Sequence, residues 1–395
     1  AAGVRPESDE PGVAEQWAQL VLVLDTTLRE MRSDSPWQLR LKAVQDRARR
    51  LFANKPDASL YHLIYLAGNS TERYSSHHSL LCMLISHAVA KALKWTPELI
   101  TSLDMANLTM NASMRTLQDA LAAGTPLITG KVRAEIDAHA EQSAQLLLDS
   151  GATDNVCVEI VRLHHDDSRK EMPLADLDEA QRAARLVRRV DMFAAKLSKR
   201  ANRAPVSPVK AARDACMGAD GTPDEIGGAL LATVGLYPPG SCVELVSSEI
   251  GLVVARGKRA NQPRVGVLVL SNGAPLGLPL VRDCEDPRYA IRGTLAANTL
   301  KTRPPHAAML ARSEVFINAA LPEFNGRIIE CALRHRAHVV DLASAMYDEK
   351  TQRTLTFAQY EHDEALRAAG LAAIINQGIS PGVTNFLVAE RIHEL

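Results

Sequence analysis

Apolar residues recur with a helical period through the first part of the chain. From Val13 to about residue 235 they fall every three to four positions, a spacing that predicts amphipathic helices. Ser35-Pro36 separates the first two helices, and Thr96-Pro97 is a typical cap and first residue of a later one. The predicted helical segments are 13–32, 37–52, 80–93, 97–114, 132–149, a segment that ends at 165, and 177–199, with a turn at 68–70. This region is therefore predicted to be an all-helical bundle.

From Tyr237 onward the apolar pattern shortens to β-rich runs. Four runs near 242–246, 250–255, 265–270 and 278–281 are separated by turn residues such as those at 271–273, which predicts a small antiparallel sheet. A proline-containing linker follows at 302–305. The strand, helix, strand, helix, strand order after Val315 predicts a partial parallel α/β segment of the Rossmann-like kind.

The fold is therefore predicted to be mainly α, with a small antiparallel β subdomain and a final α/β segment. A chain of 395 residues is long enough for two or three domains. The predicted division is 1–59 for N-terminal helices, 60–235 for the bundle, 236–300 for the small β subdomain and 313–395 for the α/β segment.

Composition narrows the classes of partner. The net charge of -1 gives no electrostatic reason to expect duplex nucleic acid or an anionic membrane as a partner. No apolar run approaches the ~20 residues that span a bilayer. The six cysteines lack CxxC pairing, which predicts reduced thiols without chemistry in a cytoplasmic protein. The polar start has no signal-peptide pattern and no initiator Met, which indicates a fragment or a processed chain.

Histidines near predicted helix ends are the candidate chemistry. His164 and His165 are adjacent and are followed by two aspartates, and His139 precedes them. Adjacent helical side chains point about 100° apart, so both reach one metal only at a helix end. The alternative is a solvated helix terminus with surface histidines. His78 and Asp191 also lie at or near helix ends, a layout in which a bundle gathers ligands for a di-metal site.

These residues give the chain from about 60 to 290 a resemblance to the HD-GYP proteins. They are a branch of the HD phosphohydrolases whose HD-type helical bundle binds metals and hydrolyses cyclic di-GMP. The resemblance implies a divalent transition metal (Mn, Fe or Zn) and a cyclic dinucleotide or another phosphate ligand, and leaves an oligomer open. Of the basic run between 182 and 203, predicted to be a solvated helix face, only Arg200 and Arg203 resemble the family's phosphate-facing loop. The implied metal ligands are His78, His139, His164, His165 and Asp191.

The chain departs from that family at its catalytic dyad. Met110-Asn111 stands where the family has His-Asp, and Ser113 and Met114 stand where it has Gly and Lys. Residues 169–173 replace the Gly-Tyr-Pro signature. Neither a thioether nor a neutral amide replaces a bridging carboxylate. The prediction is a degenerate binding or regulatory domain with weak or no hydrolysis and at most one metal; the alternative is an active phosphodiesterase with altered ligands. Met110→His with Asn111→Asp is expected to restore a second metal position facing His139 and His164.

The last part of the chain resembles the saccharopine dehydrogenase-like oxidoreductases. The resemblance rests on the segments 315–325, 337–343 and 378–385 and suggests a fused or composite gene product. It implies cofactor contacts at Asn318, Ala319, Thr384 and Asn385. Because no GxGxxG loop precedes this segment, NAD(P) is not expected to bind to this chain alone. The alternative is an NAD(P)-dependent oxidoreductase whose glycine loop comes from a partner chain.

Overall fold

The computed structural model describes residues 12–125, 128–201, 205–217, 221–295 and 300, with short segments between 315 and 374. The chain forms two compact units, residues 1–305 and 306–395. Within the described ranges, no helix has the length and apolar content that crossing a bilayer requires.

The first unit is mostly helical, as the period of its apolar residues predicts. Its described helices are α1 (Val13–Arg29), α2 (Trp37–Asn54), α3 (Pro56–Asn69), α4 (Tyr74–Ala92), α5 (Pro97–Thr109), α6 (Arg115–Ala122), α7 (Gly130–Asp149), α8 (Asn155–Leu163), α9 (Glu179–Leu197), α10 (Pro208–Cys216) and α11 (Glu225–Val234).

Side-chain caps fix the ends of the helices that carry the candidate site. Asp154 caps α8 by accepting a hydrogen bond from the backbone N–H of Cys157. Asp178 and Gln181 form a capping box at the start of α9. Each cap satisfies backbone donors that would otherwise lack partners, so α8 and α9 begin at defined residues.

Helix α4 lies at the centre of the bundle. Fourteen of its residues are buried, on every side of the helix, and it packs against α5, α9 and α11 among others. A single hydrophobic core extends from Trp17 on α1 to Val234 on α11. The N-terminal helices therefore share the core of the bundle.

The structure differs from the sequence-based assignment in two details here. The turn expected at 68–70 is the end of α3, whose residues Leu60, Tyr61, Leu63 and Ile64 are buried. Residue 59 also lies inside α3, so a continuous helix crosses the predicted boundary at 59 and 60. The apolar pattern does not predict α3 because this helix is buried on several sides and lacks the one-sided apolar stripe of a surface helix. It packs on α1, α2, α4, α9 and the small sheet.

A five-stranded antiparallel sheet follows the bundle in the first unit. Its strands are β1 (Cys242–Leu245), β2 (Ile250–Ala255), β3 (Arg264–Val269), β4 (Pro275–Asp283) and β5 (Ile291–Thr294), in the order β4-β3-β2-β1-β5. The apolar pattern of the sequence does not predict β5, because this short strand has no clear apolar alternation. Gly240 lies where the sheet meets α3, with φ +91°, and a Cβ added there would lie 2.8 Å from the carbonyl oxygen of Tyr61.

The second unit contains the parallel arrangement that the sequence predicts. Strands β6 (Val315–Asn318), β7 (His338–Asp341) and β10 (Ala373–Ile374) pair in parallel in the order β10-β7-β6. A two-stranded hairpin of β8 (Tyr347–Asp348) and β9 (Arg353–Thr354) and a helix, α12 (Asp363–Ala369), lie between β7 and β10 in sequence. The predicted fold class is confirmed.

Candidate metal centre

Three imidazoles meet where α7 passes the end of α8. His139 lies in α7, His164 caps the C-terminus of α8, and His165 follows it. The ring centroids are 5.1 Å apart for His139 and His164, 4.9 Å for His139 and His165, and 4.2 Å for His164 and His165. The structure therefore brings together three residues that the sequence predicts as ligands.

Hydrogen bonds to helix carbonyls fix how two of these rings face each other. Nδ1 of His139 lies 2.5 Å from the carbonyl oxygen of Ile136, and Nδ1 of His164 lies 2.6 Å from that of Val161. A carbonyl oxygen only accepts, so each Nδ1 carries a proton and donates it. In the neutral rings, both Nε2 atoms then present lone pairs, and they lie 3.2 Å apart.

Two opposed lone pairs at this distance repel each other unless a proton or a metal ion lies between them. Burial, together with the nearby charges of His165 and His139, lowers the pKa of His164 to about 3, so that ring stays neutral at pH 7. A tetrahedral zinc ion with Zn–N distances of about 2.0–2.1 Å would hold two nitrogens about 3.3–3.4 Å apart. The observed separation therefore fits two ligands of one metal ion.

His165 lies on the exposed side of this group. Burial lowers the pKa of His165, and Asp191 opposes that shift. One ligand atom from each of His139, His164 and His165 lies within 4.8 Å of the others. Three protein ligands and an accessible fourth side are typical of metal sites that act on a substrate.

A second group of ligand atoms lies between α4 and α9. Nε2 of His78 donates a hydrogen bond to Oδ1 of Asp191 over 2.7 Å, and Sγ of Cys82 lies 3.5 Å from the same nitrogen. Burial raises the pKa of Asp191, but the hydrogen bond and charge of His78 outweigh it and place that pKa below its ordinary range. Asp191 is therefore ionised at pH 7.

The five residues predicted as metal ligands thus fall into two groups. His139, His164 and His165 form one, and His78 and Asp191 form the other with Cys82. The sequence predicts Cys82 to be a reduced thiol without chemistry. Cys82 lies four residues after His78, so both side chains lie on the same face of a helix, and this spacing indicates that Cys82 could join His78 at one site.

The segment that replaces the expected His-Asp dyad is buried and packs beside α7. Met110 is fully buried as a member of the bundle's hydrophobic core. The amide nitrogen of Asn111 is buried and has no partner among the described residues. Oγ of Ser113 donates to the carbonyl oxygen of His139 over 3.1 Å, which ties this segment to α7.

Two of the predicted phosphate and cofactor residues lie in the described part of the chain. The Arg200 guanidinium lies 5.6 Å from the ring centroid of Tyr74, which stacks on His78. Asn318 is the last residue of β6 and pairs with Asp341 of β7. Arg203, Ala319, Thr384 and Asn385 lie outside the described residues.

The basic face of α9 is not simply solvated, contrary to the sequence-based expectation. Arg188 donates to the carbonyl oxygen of His165 over 2.8 Å and pairs with Asp167. Arg185 donates to the carbonyl oxygen of Met172 over 2.6 Å and also to that of Arg169. These arginines fasten the loop after the histidine pair to α9 by donating hydrogen bonds to its carbonyl oxygens.

Comparison with known proteins gives a match in each part of the chain. Residues 293–374 match the model of the Saccharopine dehydrogenase NADP binding domain. Among solved structures, the chain is similar to Bd1817, an HDG"Y"P protein from Bdellovibrio bacteriovorus, with 14% identity, a TM-score of 0.44, and coverage of 57% of this chain and 73% of that chain. No curated protein matches the chain. The family match supports the resemblance stated for the last part of the chain, and the roles of individual residues rest on the geometry described above.

Proposed function

We propose that the helical bundle is a metal-binding domain of the HD phosphohydrolase type. His139, His164 and His165 would hold one divalent transition metal, for which imidazole ligands suit zinc and iron better than manganese. The observation that carries the proposal is the 3.2 Å separation of the His139 and His164 Nε2 atoms, each with its Nδ1 bonded to a carbonyl oxygen.

The bundle supplies orientation and charge to this centre. The two Nδ1 hydrogen bonds select the tautomer that leaves Nε2 free for a metal, as outer hydrogen bonds do in metal proteins. Asp191 stays ionised and offsets positive charge at the histidines. A bound metal would polarise a phosphoryl oxygen and lower the pKa of a bound water toward ~7.

We propose that this domain binds a phosphate ligand and hydrolyses it weakly or not at all. Asn111 offers a neutral amide where a second metal would need a bridging carboxylate. Arg200 and Arg203 would contact the phosphate, and a cyclic dinucleotide is the ligand that the family resemblance suggests. The domain would then act as a binding or regulatory module.

Zinc-dependent stabilisation tests the metal proposal. A ligand that binds only the folded state at 100 times its Kd stabilises it by about 2.7 kcal/mol. We expect zinc to raise the melting temperature of the wild-type protein and to raise that of His139→Ala by less. Equal shifts in both proteins would contradict the proposed ligands.

Hydrolysis of bis(p-nitrophenyl) phosphate separates the regulatory proposal from the alternative of an active phosphodiesterase. We expect no more than a slow rate with added manganese, iron or zinc. A rate that depends on metal, is lost in His164→Ala, and reaches the ordinary enzyme range of about 1 s⁻¹ or more would favour the active enzyme.

The family match at 293–374 favours a second candidate function, NAD(P)-dependent oxidation or reduction. The parallel order of β10, β7 and β6 is compatible with it. Because the sequence has no GxGxxG loop, we propose that a partner chain would have to complete the pyrophosphate site. NADP should then leave the melting temperature of the isolated chain unchanged; a saturable increase would show that the chain binds the cofactor alone.

A further inference from the structure

We infer that Cys82 is a metal ligand and that His78, Cys82 and Asp191 form a second metal position, which prefers zinc-like ions. The inference extends the proposed function, on which it rests only for the view that this bundle binds metals. It departs from the sequence-based expectation of at most one metal per chain. The thiolate would supply the negative charge that the missing dyad carboxylate does not.

The distance between the Cys82 sulfur and the His78 nitrogen fits two ligands of a tetrahedral metal ion. Zn–S and Zn–N distances of about 2.3 and 2.0–2.1 Å place sulfur and nitrogen about 3.6 Å apart in a tetrahedral site. Sγ of Cys82 and Nε2 of His78 lie 3.5 Å apart, and one ligand atom from each of the three residues lies within 4.8 Å of the others. Nε2 of His78 and Oδ1 of Asp191 lie 2.7 Å apart, which is a hydrogen-bond distance. This separation must lengthen when both atoms bind a metal.

Cys82 differs from the other described cysteines in its surroundings. Cys157, Cys216, Cys242 and Cys284 are also free and buried, but none belongs to a group of three potential ligands among the described residues. Cys82 is completely buried and faces both an imidazole nitrogen and the charge of a carboxylate. A buried thiol in an ordinary core position has no need of either neighbour.

The group also contains a buried polar atom without a partner. Nδ1 of His78 accepts or donates no hydrogen bond among the described residues, while Nε2 donates to Asp191. Binding a metal changes which nitrogen carries the proton. The proton leaves Nε2 for Nδ1, and Nε2 uses its lone pair for the metal.

The proton and charge balance of the proposed binding step is simple. The S–H bond of Cys82 breaks, a sulfur–metal bond forms from the sulfur lone pair, and the released proton goes to solvent. No electron is transferred. One thiolate and one carboxylate then balance the charge of a divalent ion, and the soft thiolate favours zinc, cobalt or cadmium over manganese.

Cobalt substitution in the full chain tests this assignment. We expect the wild-type protein to bind two equivalents of Co²⁺ and to show a sulfur-to-cobalt charge-transfer band in the near ultraviolet. Cys82→Ser should lose the band and one equivalent. Cys284→Ser, which changes a buried thiol in the core of the small sheet, should keep both.

The zinc K-edge absorption spectrum of the wild-type protein provides a second test that needs no variant to fold. A sulfur shell at about 2.3 Å is expected. Metal binding without a sulfur shell, or with a charge-transfer band that survives in Cys82→Ser, would overturn the role of Cys82 and leave the three-histidine site standing. If no metal bound at all, the proposed function would fail as well.

Discussion

The neutral state of His164 is the residue-scale feature from which most of the chemistry follows. Its ring is completely buried, and its Nδ1 proton is held by the carbonyl oxygen of Val161. Because the pKa of His164 falls to about 3, the ring offers a lone pair rather than a positive charge at neutral pH. A buried lone pair facing that of His139 is a cost to the metal-free protein that a bound cation removes.

This neutral state predicts a pH dependence for the metal-free protein. The folded pKa of about 3 lies below the ordinary 6.5, so the unfolded chain binds the proton first as the pH falls. The contribution of the neutral His164 ring to the free energy of unfolding is fully present above about pH 6.5. It is lost progressively as the pH falls toward 3. We expect the free energy of unfolding of the wild-type protein to fall by on the order of 2 to 3 kcal/mol between pH 7 and pH 4.5 because of His164.

Urea unfolding of the wild type and His164→Gln at the two pH values measures that loss. The glutamine variant keeps a polar side chain of similar size but does not titrate. Its free energy of unfolding should therefore fall less than that of the wild type as the pH is lowered. Parallel pH dependence in the two proteins would show that His164 is not held neutral in the folded state.

Asn111 predicts a gain of metal affinity by a single change. Its buried amide nitrogen lacks a partner among the described residues, and the hydrogen bond from Ser113 to His139 holds its segment against α7. Asn111→Asp would place a carboxylate there. We expect the Kd for zinc, measured by competition with a chelator, to fall about tenfold, which equals ~1.4 kcal/mol.

Asn111→Ala is the matched control, since it removes the amide without adding a carboxylate. It should bind zinc no more tightly than the wild type. If Asn111→Asp folds normally and also shows no gain, position 111 does not reach the metal centre.

The sequence indicates the candidate ligand residues more readily than it indicates which of them lie together. Histidines and an aspartate near helix ends pointed to His78, His139, His164, His165 and Asp191, but sequence spacing does not say which helix ends meet. Cys82 resembles an ordinary core residue in sequence because α4 is apolar on every side. The complete burial of Met110 likewise depends on how the helices pack, and no local pattern specifies it.

At the scale of secondary-structure elements, the close contact between the small sheet and α3 requires a glycine at position 240. Gly240 has a positive φ of +91°, and an added Cβ would lie 2.8 Å from the Tyr61 carbonyl oxygen and 2.9 Å from the Tyr65 nitrogen. Both obstacles are backbone atoms of a helix, which cannot move aside cheaply. The sheet can therefore dock here only without a side chain.

Gly240→Ala should consequently destabilise the protein by more than Gly273→Ala. Gly273 also has a positive φ of +82°, but an added Cβ would meet nothing within 4 Å. Gly273→Ala is the control, and its free energy of unfolding should fall only by the backbone strain of about 1–2 kcal/mol. Gly240→Ala adds the steric clash to that strain. Equal losses in a chemical unfolding measurement would mean that α3 and the sheet are not in close contact.

Elements with a one-sided apolar pattern were predicted well, and elements defined by packing were not. The period of α1, α2, α7 and α9 gave their positions to within a few residues. Helix α3 is buried on several sides, and β5 is four residues long and becomes a strand by pairing with β1. Such elements exist because of their neighbours, and single-sequence periodicity does not report those neighbours.

At the scale of the whole molecule, the two compact units predict independent folding. The first unit has one helical core and the core of its small sheet, and the second has a core around Ile329, Ala332, Val339 and Leu366. Domains with their own cores generally fold as units. A protein that ends at Thr302 should therefore melt cooperatively and keep its zinc-dependent stabilisation.

Circular dichroism melts of the truncated and full-length proteins, with and without zinc, would check this. Loss of the cooperative helical transition on truncation would mean that the second unit is needed to complete the core of the first. Retention of the transition without the zinc response would place part of the metal centre in the removed segment.

The metal content of purified His164→Ala tests the central claim most directly. His87→Ala is the matched control, because His87 also lies in the bundle but pairs with Asp104 through a 2.8 Å contact instead of joining the metal groups. After loading with zinc and removal of excess metal, elemental analysis should find one equivalent fewer in His164→Ala than in the wild type, and no loss in His87→Ala. Equal metal content in all three folded proteins would contradict a metal site formed by His139, His164 and His165.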